Sequence, residues 1–296
     1  MTLAVSGRSL AIDSTWVMGV VNASPESFSD AGRFDSLDAQ RAHASALVTQ
    51  GAHIIDVGGQ SAITNQPELD SEIETQRVVP LVEWLRAEFP EVLISVDTYK
   101  PAVVASCLEA GAHIINDVSG LLYPEIAGMC ARHSAALVVM HTAAPPKVRL
   151  QRRDLYADVT REVVDFLATR IDLAIAAGLS REAIIVDPGP DFTKTPHQTV
   201  EVLRGIAQVR ALGRPVLLAL SRKDFLGAIT GRTPAHREAA TAAAIAYFAS
   251  AGGSIVRVHD VAAAVDVITT VETLAGRREI DPGYLLPDSL RHEPRL

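Results

Sequence analysis

Eight short apolar runs alternate with longer amphipathic stretches, and this alternation constrains the fold more than any other feature of the chain. The apolar runs are Val17–Val21, His53–Val57, Val92–Val96, His113–Ile115, Ala136–Met140, Ala183–Val186, Pro215–Leu220 and Ser254–Val258. The amphipathic stretches are Ser36–Gln50, Ser71–Ala87, Pro101–Ala110, Glu125–Arg132, Tyr156–Ala177, Gln198–Ala211, His236–Ala251 and Ala262–Leu274. Continuous apolar strands that alternate with helices predict a parallel sheet covered on both faces. Eight such units in about 260 residues predict an α/β fold, a single-domain (β/α)8 TIM barrel, with an open doubly wound sheet as the alternative.

The composition is typical of a soluble enzyme. The chain has 296 residues, of which 48% are hydrophobic, and this is enough to build the core of one barrel. Its net charge of −8 argues against nucleic acid or an anionic membrane as a partner, because both are usually bound by basic surfaces. The first 14 residues lack the features of a signal peptide, and no run of 18 apolar residues predicts a membrane span, so we expect a cytoplasmic protein.

The end of the chain differs from the rest. Residues 277–296 are charged, contain proline and are weakly apolar, which predicts a C-terminal tail beyond a barrel domain at 1–276. The two cysteines, Cys107 and Cys130, are too few for a disulfide framework and lie in apolar helical patterns. We therefore expect both to be small buried side chains.

Polar or charged residues follow nearly every predicted strand. They are Asn22, Asp56, Gln60, Asp97, Asn116, Asp117, His141, Asp187, Ser221 to Lys223, Arg257 and His259. The carboxyl ends of barrel strands converge on one mouth, where the active sites of such folds lie. Packing alone does not explain so many polar groups in one place, because burying each without a partner is costly. The pattern predicts a site at this mouth, although Asp56 and Asp117 are equally well explained as turn residues.

These polar residues divide into two chemical groups. The first offers acceptors and donors suited to a planar heterocycle that carries amide and amine groups, and consists of Asp97, Asn116, Asp187 and Lys223. A carboxylate such as that of Asp187 suits an aminopyrimidinone edge, because two N–H donors meet two acceptor oxygens there. The second group suits an oxyanion-rich ligand and consists of Asn22, Arg257 and His259. The side-chain carbonyl of Asn22 is also a suitable ligand for Mg²⁺.

An ordered series of motifs resembles the dihydropteroate synthase family. The first is the run Met18–Asp30, which reads M-G-V-V-N-A-S-P-E-S-F-S-D and is similar to the family's M-G-I-L-N-x-T-P-D-S-F-S-D. The others are Ile55–Ser61, Ser95–Lys100, Ile115–Val118, Val139–His141, Asp187–Gly189, Ser221–Lys223 and Arg257–Asp260. The resemblance extends over most of the chain, from residue 15 to residue 276.

This resemblance implies a transferase of folate biosynthesis. The family joins 6-hydroxymethyl-7,8-dihydropterin diphosphate to an arylamine, p-aminobenzoate, and releases pyrophosphate. The substrate-binding residues that it implies are Asp97, Asn116, Met140, Asp187, Phe192, Ser221, Arg222 and Lys223. The catalytic residues that it implies, which act on the diphosphate, are Asn22, Lys223, Arg257 and His259. It further implies Mg²⁺ as the cofactor, with Asn22 as its ligand, and a homodimer.

Departures from the family pattern are concentrated where the acceptor and the second loop are expected. Ala62 and Ile63 replace the family's Thr and Arg, and an Arg contact to diphosphate would contribute about 1.5–3 kcal/mol. Asp224 replaces a Ser that receives the carboxylate of p-aminobenzoate, and a second carboxylate would oppose that ligand. Asp224 is equally well explained as a helix N-cap. Asp191 and Thr193 replace glycines of the family's G-F-G-K segment.

Three hypotheses follow from this mixture of retained and altered residues. The chain is an ordinary dihydropteroate synthase with compensating changes, or a divergent paralogue that uses a different acceptor or ligand. The third hypothesis is a pterin-binding protein without catalysis. The retained residues predict the pterin pocket more firmly than they predict the identity of the acceptor.

Overall fold

The predicted apolar runs form eight parallel strands that close into a barrel. The computed structural model describes residues 1–23, 36–60, 64 and 67–292. In these ranges the strands are β1 (Thr2–Val5), β2 (Arg8–Ala11), β3 (Trp16–Asn22), β4 (Ile54–Gly58), β5 (Leu93–Asp97), β6 (Ile114–Asp117), β7 (Ala136–Met140), β8 (Ile184–Asp187), β9 (Val216–Ala219) and β10 (Ser254–Val258). Strands β3 to β10 pair in chain order, and β10 pairs with β3 to complete the circle. This closure confirms the (β/α)8 barrel and rules out the open doubly wound sheet.

The helices surround the barrel and mostly follow the predicted stretches. Those described are α1 (Leu37–Thr49), α2 (Ser71–Glu88), α3 (Pro101–Glu109), α4 (Glu125–Arg132), α5 (Val159–Ala176), α6 (Pro196–Arg204), α7 (Ile206–Arg210), α8 (Asp224–Thr230), α9 (Glu238–Ala249) and α10 (Val261–Leu274). The single helix predicted over Gln198–Ala211 is wrong, because it divides at Gly205. A Cβ atom at Gly205 would lie 2.5 Å from Cγ2 of Thr160, so only glycine allows this close approach. Helix α8 was not predicted.

Side-chain caps fix where several helices begin. Helix α5 starts three residues after the predicted Tyr156, because the side chain of Asp158 accepts a hydrogen bond from the backbone N–H of Arg161 at 3.0 Å. Thr195 and Gln198 form a reciprocal capping box at the start of α6. Such contacts satisfy backbone donors that have no partner in the first turn of a helix. They therefore define the ends of the loops that surround the barrel mouth.

The amino-terminal end of the barrel is closed by the β1–β2 hairpin, which the sequence analysis did not predict. Leu3 and Val5 of β1 are buried and belong to a cluster that fills the lower interior of the barrel. The remaining members of this cluster are Ile12, Met18, Ile54, Leu93, Ile114, Ala136, Val138, Ile185, Leu217 and Ile255. A second, larger cluster lies between the strands and the helices. Because the lower end is packed with apolar side chains, a polar ligand can be bound only at the carboxyl-terminal mouth.

The described part of the tail contains little regular structure. Helix α10 ends at Leu274, and residues 277–292 include one short 3₁₀ turn at Asp288–Leu290. Several large apolar side chains of this segment are exposed, including those of Ile280, Leu285 and Leu290. Among the described helices, none has the length and apolar character needed to cross a bilayer.

Candidate active site

A cavity of about 430 Å³ lies at the carboxyl-terminal mouth of the barrel. Six of the candidate site residues named from the sequence line it, namely Gln60, Asp97, Phe192, Ser221, Arg222 and Lys223. The loop after β7 contributes the segment 144–151 to its wall. The position of the cavity matches the expectation that polar strand ends meet at one mouth.

Two carboxylates hold the guanidinium of Arg257 at the floor of this mouth. Its Nε donates to Asp56 Oδ2 at 2.6 Å, and its Nη2 donates to Asp97 Oδ2 at 2.8 Å. The side-chain amide of Asn116 donates to the same Asp56 oxygen at 3.2 Å. Asp56 is completely buried, whereas the side chains of Asp97 and Arg257 retain 15% and 22% exposure. Three predicted site residues are therefore joined through Asp56, which the sequence alone explained equally well as a turn residue.

Burial changes the protonation behaviour of Asp97. The pKa of this carboxyl is raised from 3.8 to about 7, chiefly by burial, with Arg257 opposing the rise and the Asp56 carboxylate adding to it. Burial disfavours the charged form of an acid, and a nearby cation favours it. Asp97 consequently binds its proton more tightly than an exposed aspartate, even though it pairs with an arginine.

Asp187 and Lys223 form a second polar group beside the first. The backbone N–H of Gly189 donates to Asp187 Oδ1 at 2.7 Å. Lys223 Nζ donates to the carbonyl of Pro190 at 3.1 Å and lies 4.5 Å from the centroid of the Phe192 ring. Burial raises the pKa of Asp187 to about 6 and lowers the pKa of Lys223. A buried acceptor and a partly buried donor thus lie together at the ends of β8 and β9.

Met140 lies at the end of β7, directly beside Asp187 in the sheet register. Its side chain is buried, and its Cγ lies 3.3 Å from where a Cβ of Gly189 would stand. Gly189 has φ +63°, and that Cβ would lie only 2.3 Å from the carbonyl oxygen of His141. Glycine is therefore required here, because both the backbone conformation and the space exclude a side chain. Met140 supplies an apolar surface next to the polar group of Asp187.

Ser221 and His259 lie on the same side of the mouth. Ser221 Oγ and His259 Nδ1 are 2.9 Å apart, so the two side chains share a hydrogen bond. Arg222 adopts φ +59°, and its backbone N–H donates to Thr241 Oγ1 at 3.2 Å. Its guanidinium lies 3.6 Å from Glu238. The structure therefore places Ser221 beside His259, and it turns Arg222 towards helix α9.

Asn22 is the last residue of β3 and pairs in register with Gly58 of β4. It is partly exposed at the strand end. Residues 24–30 of the opening motif, together with Ser61, Ala62 and Ile63 of the second loop, lie outside the described residues. The described ranges contain no group of three or more His, Cys, Asp or Glu side chains arranged as a metal site.

A buried lysine that the sequence analysis did not place in the site supports the loop after β8. Lys194 is fully buried, and its Nζ lies 2.8 Å from His141 Nδ1 and 3.0 Å from the carbonyl of Gly189. Burial lowers the pKa of Lys194 to about 7, and burial together with the nearby Lys194 amine lowers the pKa of His141. The only signal in the sequence was that Lys194 is retained in a segment where both glycines are replaced. Its contacts fix the loop that carries Phe192.

The replaced glycines of that segment keep the backbone conformation that glycine favours. Asp191 has φ +64° and Thr193 has φ +51°. The Asp191 carboxylate accepts from Thr199 Oγ1 at 3.1 Å and from the backbone N–H of Phe225 at 3.2 Å. Thr193 Oγ1 accepts from the backbone N–H of Ala143 at 3.0 Å. These side-chain contacts offset the strain of a left-handed conformation, so the substitutions reinforce the loop.

Asp224 is not the N-cap of α8, and that interpretation is corrected here. The cap position belongs to Lys223, and Asp224 is the first helical residue. Its carboxylate pairs instead with Arg237 Nη1 at 3.1 Å. The same guanidinium nitrogen donates to the backbone carbonyls of Arg222 and Lys223 at 2.8 and 3.1 Å. Arg237 therefore fixes the loop that carries Lys223 and balances the charge of Asp224.

The base of the second loop is held by a buried ion pair. Lys100 Nζ lies 2.8 Å from Glu74 Oε2, and both side chains are almost fully buried. Lys100 also donates to the backbone carbonyl of Leu69. Gln60 donates to the hydroxyl of Tyr99 at 3.2 Å. These contacts anchor both described ends of the loop that follows β4.

Comparisons with known proteins agree with this geometry. The family model described as "Pterin binding enzyme" matches residues 18–259. The chain is 38% identical over 262 residues to the dihydropteroate synthase of Synechocystis sp., which covers 88% of this chain and 90% of that protein. Among solved structures, the Yersinia pestis dihydropteroate synthase in complex with a sulfonamide drug has a TM-score of 0.87 and 33% identity, covering 93% of this chain and all of that one. The Xanthomonas albilineans dihydropteroate synthase with 4-aminobenzoic acid has a TM-score of 0.83 and 37% identity, covering 93% and 98% of the two chains.

Proposed function

We propose roles for the groups of this site from one premise: the chain belongs to the dihydropteroate synthase family of pterin-binding enzymes. It is a transferase that joins 6-hydroxymethyl-7,8-dihydropterin diphosphate to p-aminobenzoate and releases pyrophosphate. The observation on which the assignment of roles depends is the convergence of buried and partly buried acceptors with the amine of Lys223 at the barrel mouth. The roles below are proposals for individual residues.

The pterin is held by the polar groups at the ends of β5, β6, β8 and β9. Asp97, Asn116 and Asp187 accept hydrogen bonds from the ring N–H and amino groups, and Lys223 donates to a ring acceptor. This arrangement suits an aminopyrimidinone, because its donors meet acceptor oxygens in a site from which water is largely excluded. Met140 packs on the ring, and Phe192 covers it from the loop after β8.

The diphosphate is bound by Asn22, Arg257 and His259, with Ser221 orienting the His259 ring. In the reaction, the bond between the pterin methylene carbon and the diphosphate oxygen breaks, and the arylamine nitrogen forms a new C–N bond with that carbon. The arylamine then loses a proton, and the electron pair of the broken bond leaves with pyrophosphate. Cationic side chains stabilise the charge that develops on the leaving group. Arg222 lies at the outer part of the cavity, where the acceptor is expected.

We propose that Mg²⁺ binds to the site as a complex with the diphosphate of the substrate. The donor set near Asn22 fits such an ion, since Mg²⁺ is usually held by one or two protein oxygens together with substrate phosphates and water. Asp56 and Asp97, the nearby carboxylates of the floor, are already paired with Arg257. When bound, the metal neutralises charge on the departing pyrophosphate. Asn22 is its proposed protein ligand.

The proposed assembly is a homodimer, which stays a prediction, as does the cytoplasmic location. The acceptor is p-aminobenzoate despite Asp224, because Arg237 balances that charge. The exposed apolar side chains of the tail, such as Leu285 and Leu290, are available to a second copy. Sedimentation analysis of the full chain measures the oligomeric state, and a monomer at micromolar concentration would exclude a stable homodimer.

The enzymatic test incubates the protein with Mg²⁺, the pterin diphosphate and p-aminobenzoate, and measures dihydropteroate and pyrophosphate separately. Both products in equal amounts support the function. Pyrophosphate without dihydropteroate indicates a different acceptor, and binding without turnover indicates a pterin-binding protein. Asp187→Ala should abolish pterin diphosphate binding, and unchanged affinity in this variant would refute the pterin assignment.

A further inference from the structure

Asp56 contacts one residue of each half of the site. Its Oδ2 accepts from Arg257 on one side and from Asn116 on the other, at 2.6 and 3.2 Å. Asp56 lies in the middle of β4 and is fully buried, so its own position is set by the barrel. One oxygen of Asp56 therefore links Arg257 and Asn116 without a direct contact between these two side chains.

The chemistry of a carboxylate determines how Asn116 is oriented. A buried carboxylate that pairs with a guanidinium can only accept hydrogen bonds, so Asn116 must present its NH₂ group to Asp56. Its carbonyl oxygen, Oδ1, then points away from Asp56. That oxygen is buried, and no described residue donates a hydrogen bond to it. Since buried polar atoms normally have partners, the oxygen is a ready acceptor for an N–H of the ligand.

Asp56 also restrains Arg257 beside its contact with Asp97. Nε of the guanidinium donates to Asp56 and the adjacent Nη2 donates to Asp97. When Asp97 accepts hydrogen bonds from the pterin, the contact with Asp56 keeps the guanidinium in the floor of the mouth. Charge-assisted contacts of this kind define both position and orientation.

We propose that Asp56 is a positioning residue that orients Asn116 as an acceptor for the pterin and holds Arg257 for the diphosphate. This inference rests on the proposed function, because it takes the pterin and the diphosphate as the ligands. It assigns no contact between Asp56 and substrate.

Asp117 provides a matched control. It is also a fully buried aspartate of a barrel strand, but its carboxylate accepts from the backbone N–H groups of Ser119 and Leu121 at 2.7 and 3.1 Å. It therefore caps its own loop. Asp56→Asn and Asp117→Asn remove one buried negative charge each, from neighbouring parts of the same barrel.

Two separate probes test the two halves: 6-hydroxymethyl-7,8-dihydropterin without diphosphate, and inorganic pyrophosphate with Mg²⁺. Calorimetry should show that Asp56→Asn weakens binding of each probe about tenfold, the scale of one charge-assisted hydrogen bond. Asp117→Asn should change each affinity less than about twofold. Unchanged binding in Asp56→Asn, or a loss confined to one probe, would overturn the inference. Wild-type protein that binds neither probe would refute the proposed function instead.

Kinetics and an exchanged pair keep the inference testable if Asp56→Asn folds poorly. A purely structural role would reduce the active fraction and thus the apparent kcat, whereas a positioning role raises KM for the pterin diphosphate. Asn116→Asp alone places two carboxylates 3.2 Å apart and should lose pterin binding. The double variant Asp56→Asn with Asn116→Asp should not recover binding, because the atom in place of Asp56 Oδ2 cannot both accept from Arg257 and donate to residue 116, and recovery to wild-type affinity would contradict the shared-oxygen geometry. If the single Asn116→Asp variant binds as well as wild type, the proposed orientation of Asn116 is wrong.

Discussion

Replacing Arg257 by methionine should destabilise the protein in a way that depends on pH. The change removes the guanidinium that neutralises Asp56 and Asp97 and leaves two buried carboxylates without it. Breaking a buried ion pair in this way typically costs about 3–5 kcal/mol. Because Arg257 and Asp97 are 22% and 15% exposed, water takes up part of the uncompensated charge. We therefore expect a loss at the low end of that range, about 3 kcal/mol in the free energy of unfolding at pH 8.

The direction of the pH dependence follows from Asp97. Its pKa in the folded protein is raised from 3.8 to about 7, and Arg257 opposes that rise, so the variant has a still higher pKa. A group whose pKa is higher in the folded than in the unfolded state contributes stability as the pH falls through the folded pKa. Above about pH 7 the folded variant binds this proton more fully than folded wild type does, and neither unfolded chain binds it there. The loss of stability relative to wild type should therefore shrink as the pH falls from 8 towards 7.

Urea unfolding followed by circular dichroism at pH 8, 7 and 6 measures the effect. Arg214→Met is the matched control, since Arg214 is also buried but donates to backbone carbonyls, those of Thr2, Glu182, Ile184 and Gly213. Its loss should be the same at the three pH values. A cost for Arg257→Met below about 1 kcal/mol, or one as independent of pH as the control, would refute the account of this ion pair.

Three further outcomes are expected. Binding of 6-hydroxymethyl-7,8-dihydropterin should weaken as the pH falls through about 6, because Asp187 takes up a proton there and one of its oxygens no longer accepts a hydrogen bond from the ligand. Calorimetry between pH 8 and 5 measures this change in affinity, and an affinity independent of pH would contradict it. Asp224→Ser should lower KM for p-aminobenzoate about threefold, because it removes a charge of the same sign as the substrate's carboxylate. KM for the neutral p-aminobenzamide should be unchanged. Equal effects on the two substrates in initial-rate assays would exclude charge as the cause. Leu3→Ala opens a cavity at the lower end of the barrel and should reduce the free energy of unfolding in urea by about 2–5 kcal/mol, without changing KM for the pterin diphosphate. A changed KM would mean that the β1–β2 hairpin influences the site.

The sequence predicted the barrel well because its signal is repeated eight times. Each strand is buried on both faces and reads as a continuous apolar run, which is hard to mistake when helices intervene. The hairpin of β1 and β2 was missed because it is a single pair of four-residue strands without a strong turn signature. Helix α8 was missed for a similar reason, since its seven residues are too few to show helical periodicity.

The candidate site was predictable to the level of residue types at strand ends, but not to the level of their partners. Alternation along a strand indicates which side chains point into the mouth, and so Asp97, Asn116 and Asp187 could be named. The alternation does not indicate which acidic side chain forms an ion pair with which basic side chain across the barrel. The pairing of Asp56 with Arg257 joins residues 201 positions apart, and only the closed sheet brings them together. The sequence could therefore not separate Asp56 from Asp117, which the structure assigns to different roles.

The contacts of Asp224 weaken the case for a different acceptor. In the sequence this carboxylate stands where the family places a serine, and a free carboxylate there would repel p-aminobenzoate. In the structure Arg237 pairs with it at 3.1 Å and is itself almost fully buried, so the local charge is balanced. An ion pair with an exposed carboxylate contributes little by itself, but Arg237 is ordered by three backbone carbonyls as well, which lowers the entropy cost of the pair. Arg222 adds a further cation to the same wall of the cavity. The part of the cavity wall near Asp224 is thus not net negative. This is compatible with binding an arylamine that carries a carboxylate, as the ordinary reaction of the family requires.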